Sequence, residues 1–90
     1  MRFLDYIGEA KRGPNYWTFS LYGKGKKGFQ MKTKVIELIK KHGGKVENDF
    51  QTGAGRWNIE VEIDKKKVQH GSPLNDALVS MGVSISSGIG

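Results

Sequence analysis

The sequence contains no cysteine. That removes disulfides, thiol nucleophiles and thiolate-bound metal, and it suits a reducing compartment, cytoplasmic or nuclear. Long apolar runs are missing too: no stretch approaches the ~20 residues of a membrane span. The N-terminus, Met1-Arg2-Phe3-Leu4-Asp5-Tyr6-Ile7-Gly8-Glu9, carries an early acid where a secretory leader would be apolar. No membrane partner is expected. Acids are also in short supply: nine Asp and Glu stand against fifteen Lys and Arg, a formal net charge of +6. Such a surplus attracts polyanions by neutralising phosphates and releasing counterions, although a charge of this size also serves solubility alone. The two histidines, His42 and His70, lie far apart with no carboxylates at ligand spacing. Neither a metal centre nor a cofactor is expected, and no nucleophile–base constellation points to an enzyme.

What is present is enough for one domain. Ninety residues bury only roughly 60–65% of their unfolded surface, so the core is thin and a deep enclosed pocket has little room. Residues 1–15 read as an arm whose Phe3, Leu4, Tyr6 and Ile7 can pack on the body 16–90 before Gly13-Pro14-Asn15 breaks the chain. From Tyr16 to Tyr22, Trp17, Phe19 and Leu21 alternate with Thr18 and Ser20, which predicts a strand. Gly23–Gly28 reads as a flexible basic loop. Met31, Val35, Leu38, Ile39 and His42 recur at helical spacing over Gln30–His42, with Gly43-Gly44 as the left-handed stop. A short strand follows at Lys45–Phe50, then a turn at Thr52-Gly53-Ala54-Gly55. Trp57, Ile59, Val61 and Ile63 alternate with Asn58, Glu60, Glu62 and Asp64, a strand with one polar face. Asp64–Gly71 reads as a loop. Ser72-Pro73 opens a second helix, with Ser as N-cap and Pro at the first helical position, and Gly82 ends it. Val83 and Ile85 begin a last strand.

The order β-α-β-β-α-β suits two architectures. One is α/β, a small parallel sheet flanked by helices. The other is a ferredoxin-like α+β fold in which 45–63 form a hairpin across Thr52–Arg56. In either, the first and third strands are expected to be parallel neighbours. Loops 23–29 and 64–72 would then lie side by side, where open α/β sheets take up anions. Lys24, Lys26, Lys27, Lys65, Lys66 and Lys67 would form a single basic rim.

Three segments carry a family resemblance: Phe19-Ser20-Leu21-Tyr22-Gly23, Lys34–Val46 with its Gly43-Gly44-Lys45-Val46 ending, and Gly71-Ser72-Pro73-Leu74-Asn75-Asp76-Ala77 running on to Gly82-Val83-Ser84-Ile85. In this order and spacing they resemble a BRCT domain, most of all the version in bacterial NAD-dependent DNA ligases, over about residues 17–87. The resemblance implies a four-stranded parallel sheet in order 2-1-3-4 with helices on both faces. It also implies a non-catalytic role in DNA replication or repair, binding phosphorylated peptides, other proteins or DNA ends with a 5′ phosphate. Two positions depart from the family's phosphate pocket. Tyr22 stands where a Ser or Thr precedes the glycine, leaving Gly23 as the match, and Pro73 stands where a lysine opens the second helix. The family's final helix is also missing, and the N-terminal arm is expected to cover the surface that helix would have covered.

The expected partner is therefore DNA or another nucleic acid. Lys24, Lys26, Lys27, Arg56, Lys65, Lys66 and Lys67 would neutralise phosphates, and Gly23 would offer its backbone N–H. For Lys24-Gly25-Lys26-Lys27 and Lys65-Lys66-Lys67 the plainer reading is a solvated loop, since neither contains a P-loop ending. Thr52–Arg56 is a turn or an anion nest closed by arginine. Trp17, Trp57 and Tyr16 read as core, whereas Tyr22, ending a strand beside the basic loop, is the better candidate to stack on a base. Glu60, Glu62 and Asp64 read as a solvated strand face. The alternative function is a protein-interaction module, such as a small accessory protein docking on a cellular machine.

Overall fold

The computed structural model describes residues 13–53 and 55–89. The elements are β1 (Tyr16–Tyr22), α1 (Gly25–Lys41), β2 (Lys45–Gln51), β3 (Arg56–Glu62), α2 (Lys65–Val68), α3 (Pro73–Ser80) and β4 (Ser84–Ser87). The N-terminal arm lies outside the described residues, apart from the turn at Gly13–Asn15. There the Tyr16 N–H reaches the Gly13 carbonyl at 3.4 Å. Among the described residues no helix is long and apolar enough to cross a membrane.

The four strands form one sheet in the order β2-β3-β1-β4, and every pairing is antiparallel. This overturns the expected parallel, BRCT-like sheet. It also overturns the parallel β1–β3 neighbours expected in either architecture. The reason is geometric. The helical crossover α1 returns the chain so that β2 runs in the direction of β1. The short connection from Gln51 to Arg56 then reverses it, because a parallel neighbour needs a connection of about a dozen residues or more. Strand β3 therefore runs against both β2 and β1, in the register Tyr22↔Arg56 to Tyr16↔Glu62. The strand order and directions are those of a split β-α-β of the ferredoxin-like kind.

One face of this sheet holds the core. Phe19 and Leu21 of β1 and Ile59 and Val61 of β3 are completely buried, against Val35 and Ile39 of α1 and Leu74 and Leu78 of α3. Val68 of α2, Ile63 and Val83 complete the cluster. Trp17 and Trp57 lie on this side at the margin of the core, and the Trp17 indole N–H donates to the Ile63 carbonyl at 3.2 Å. The opposite face carries Tyr16, Thr18, Ser20, Tyr22, Arg56, Asn58, Glu60, Glu62, Lys45, Asn48, Phe50, Ser84 and Ser86, the period-two partners of the core residues. None of these is fully buried.

Two elements depart from expectation at the basic loops. Helix α1 begins at Gly25 rather than near Gln30, because glycine at 28 allows its first turn to lie directly against the end of β1. Gly28 is buried, and a Cβ on Gly23 would sit 2.5 Å from its Cα. That close packing outweighs the low helix propensity of glycine, about 1 kcal/mol below alanine. The segment 64–72 contains the single helical turn α2, held by the Asp64 carboxylate, which accepts from the Lys66 N–H at 2.8 Å. Helix α3 starts as the sequence implies: the Ser72 hydroxyl accepts from the Asn75 N–H at 3.2 Å, and Pro73 is the first helical residue.

Candidate nucleic-acid interface

The antiparallel pairing decides which basic residues meet. The C-terminal end of β1 lies beside the start of β3, so the loop carrying Lys24, Lys26 and Lys27 is brought to Arg56 and the 52–55 turn. Lys65, Lys66 and Lys67 follow Glu62, which pairs with Tyr16 at the other end of β1. A strand of seven residues at about 3.3 Å per residue separates the two clusters by roughly 20 Å. The single basic rim does not exist; the sheet has a Tyr22 end and a Glu62 end, and the two lysine clusters lie at opposite ones.

At the Tyr22 end the backbone is tightly tied. The Gly23 N–H donates to the Gly55 carbonyl at 2.7 Å, so it is not available to a phosphate as expected. Gly55 is buried beneath this junction. The next N–H groups in the chain take over that position. Helix α1 has Lys24 as N-cap with no side-chain cap bond, and no acid in its first turn. The N–H groups of Gly25, Lys26 and Lys27 have no acceptor among the described residues. Helix N-termini carry a partial positive charge that favours acids by about 0.3–1 kcal/mol each. Here lysines occupy the position instead, which concentrates positive potential.

The side chains around this junction are exposed cations and aromatics. Lys24, Lys26, Lys27 and Arg56 are exposed, and among the described residues none has a carboxylate within salt-bridge distance. The Arg56 guanidinium carbon lies 5.5 Å from the centroid of the Tyr22 ring, and Tyr22 is 66% exposed. On the helix side of the same end, Phe29 meets Trp57 edge-on at 6.4 Å. The Lys32 ammonium sits 4.6 Å from the Phe29 ring and 4.8 Å from the Trp57 ring. Lys32 also pairs with Asp49 at 3.6 Å and is only 12% exposed, so its charge is spent inside the fold. Phe29 and Lys32 escaped the sequence reading, because both lie off the apolar stripe of α1 and their partners come from β2 and β3.

The Glu62 end is mixed in sign. Lys65, Lys66 and Lys67 are exposed, but they sit with Asp64, Glu62 and Glu60, and nearby Lys45 pairs with Glu47 at 3.9 Å. Pro73 opens α3 next to this end, and no lysine replaces it. Among the described residues no group of three or more His, Asp or Glu could hold a metal ion, and no polar or charged side chain is fully buried.

No family model, no curated protein and no solved structure matches the chain, and the BRCT resemblance gains no support from them.

Proposed function

We propose that the chain is a non-catalytic nucleic-acid-binding domain that grips the phosphate backbone at the Tyr22 end of its sheet. The observation that carries this reading is the junction of β1, α1 and β3. There four exposed cations, Lys24, Lys26, Lys27 and Arg56, surround an uncapped helix N-terminus, with no carboxylate paired to any of them among the described residues. Such a cluster neutralises phosphates without reading sequence. Lys65–Lys67 contribute through general attraction from the far end. A role in replication or repair rests on the BRCT resemblance alone, and the phosphate grip does not depend on it.

A labelled oligonucleotide titrated at about 50 and about 200 mM salt tests it, since phosphate-driven binding weakens steeply over that range. Replacing Lys24, Lys26, Lys27 and Arg56 together by glutamine is expected to cost at least about tenfold in affinity at the lower salt. Replacing Lys65, Lys66 and Lys67 costs much less. Absence of wild-type binding at low salt would sink the proposal. The other reading, a protein-docking module, has one feature in its favour. This is a shallow groove of about 380 Å³ lined by Lys34, Glu37, Leu38, Lys41 and Met81 on the helix side. It mixes charges of both signs and lacks an exposed aromatic, so it ranks second.

A further inference from the structure

The face of the sheet away from the helices is polar and uneven. Its half at the Tyr22 end carries Tyr22, Arg56, Ser20, Asn58, Phe50 and Ser84, without an acid among the described residues. The half at the other end carries Glu60 and Glu62 on the central strand β3, with Lys45 directly opposite Glu62 on β2. Tyr22 and Arg56 are directly paired across β1 and β3 and so project from the same side. One row further in, the Ser20 hydroxyl donates to the Asn58 Oδ1 at 2.9 Å. That bond occupies the amide oxygen and leaves the amide N–H groups, which have no partner among the described residues. Phe50, half-buried, stands next to Asn58 on β2.

Phosphate binding alone does not call for an aromatic ring 66% exposed on a central strand. A ring at the mouth of a basic cluster, with a guanidinium over it and amide donors beside it, matches the parts of an unpaired nucleotide. The flat base meets the ring, the base edge meets the donors, and the phosphate meets the cations. In a duplex the base faces are stacked on one another and cannot reach Tyr22. Resting on the function proposed above, we infer that the Tyr22 half of the sheet face away from the helices binds single-stranded nucleic acid, with a base stacked on Tyr22 and its edge at Asn58. Glu60, opposite Thr18 and Asn48, repels phosphates from the other half and confines the strand to this one. Tyr22 is a binding residue for the base, while Arg56 serves both the ring and the phosphate.

The test compares three probes of matched length: a single-stranded DNA, the same strand with abasic sites, and a duplex. Each is titrated into the wild type and into Tyr22→Ala, Tyr22→Phe and Glu60→Gln. Expected for the wild type is about tenfold tighter binding of the single strand than of the abasic strand. Tyr22→Ala removes that advantage, whereas Tyr22→Phe keeps it. Glu60→Gln tightens single-strand binding, because the phosphate barrier is lowered. Thermal melting of Tyr22→Ala, expected within a few degrees of wild type for an exposed side chain, separates a binding loss from unfolding. Equal wild-type affinity for the single and abasic strands would overturn base stacking while leaving phosphate binding intact. Preference for the duplex would do the same. No binding of any probe would end both readings.

Discussion

A methyl group on Gly28 would run into the Gly23 carbonyl and lie 3.0 Å from the Trp57 indole nitrogen. The first obstacle is backbone and cannot rotate aside. Alanine at this position therefore sets two effects against each other. Helix propensity favours it by about 1 kcal/mol, and forced repacking opposes it by about 1–3 kcal/mol or more. The clash wins here, because it would have to push α1 away from β1 along a junction already tied by the Gly23–Gly55 hydrogen bond. Gly28→Ala is expected to lower the melting temperature by at least about 4 °C, following the usual scaling for a domain of this size. It should also weaken oligonucleotide binding, since the same junction aims Lys24, Lys26 and Lys27. An unchanged melting curve would show that the two backbones are not held together as described. Sequence alone reads Gly23–Gly28 as a loop, because glycine is permissive in isolation; its value here is the space it leaves, and only the partner strand reveals that. Lys32 makes the same point from the other side. By sequence it is one more solvated lysine, and its enclosure by Phe29, Trp57 and Asp49 depends on residues brought from two strands.

Among the elements, α3 was the most legible. Ser72 and Pro73 are start signals whose mechanism is local: the hydroxyl accepts an orphan N–H and the ring presets the first turn. The structure shows both, and adds that the Ser72 hydroxyl donates to the Lys67 carbonyl at 2.7 Å, tying α3 to α2. Ser72→Ala is expected to cost about 1 kcal/mol in unfolding free energy, measurable by urea or thermal denaturation, while Ser72→Thr retains both bonds and most of the stability. Nucleic-acid binding at the Tyr22 end should be unaffected by either. A Ser72→Ala protein as stable as wild type would mean that the cap contributes nothing. The alternating residues of β1 and β3 were equally legible, since a period of two assigns Phe19, Leu21, Ile59 and Val61 to one face without knowledge of the neighbours. The same period also places Ser20 and Asn58 on the polar face. It does not say that the two would be side by side, which depends on register.

At the scale of the whole molecule, strand direction decided the site. A period-two pattern is the same read forwards or backwards, so hydrophobicity could not distinguish a parallel β1–β3 pair from an antiparallel one. The information lay in the shortness of the connection from Gln51 to Arg56, which makes β2 and β3 a hairpin and sends β3 against β1. Reversing that single strand moves Lys65–Lys67 from the side of Lys24–Lys27 to the opposite end of the sheet, and it brings Arg56 to Tyr22 instead. Salt dependence distinguishes the two layouts. Each neutralised phosphate of a single strand contributes about −0.7 to the slope of log affinity against log salt. Four cations at the Tyr22 end therefore cap the slope near −3, whereas all seven on one rim would take it towards −5. For a strand of about four nucleotides the phosphates themselves cap the slope near −3, so the substitutions distinguish the layouts. Substitution of Lys65, Lys66 and Lys67 by glutamine should leave it unchanged, and substitution of Lys24, Lys26 and Lys27 should bring it to about −1. Equal loss of slope from both triple substitutions would mean that the two clusters share the phosphates equally, and would overturn the assignment of the grip to the Tyr22 end.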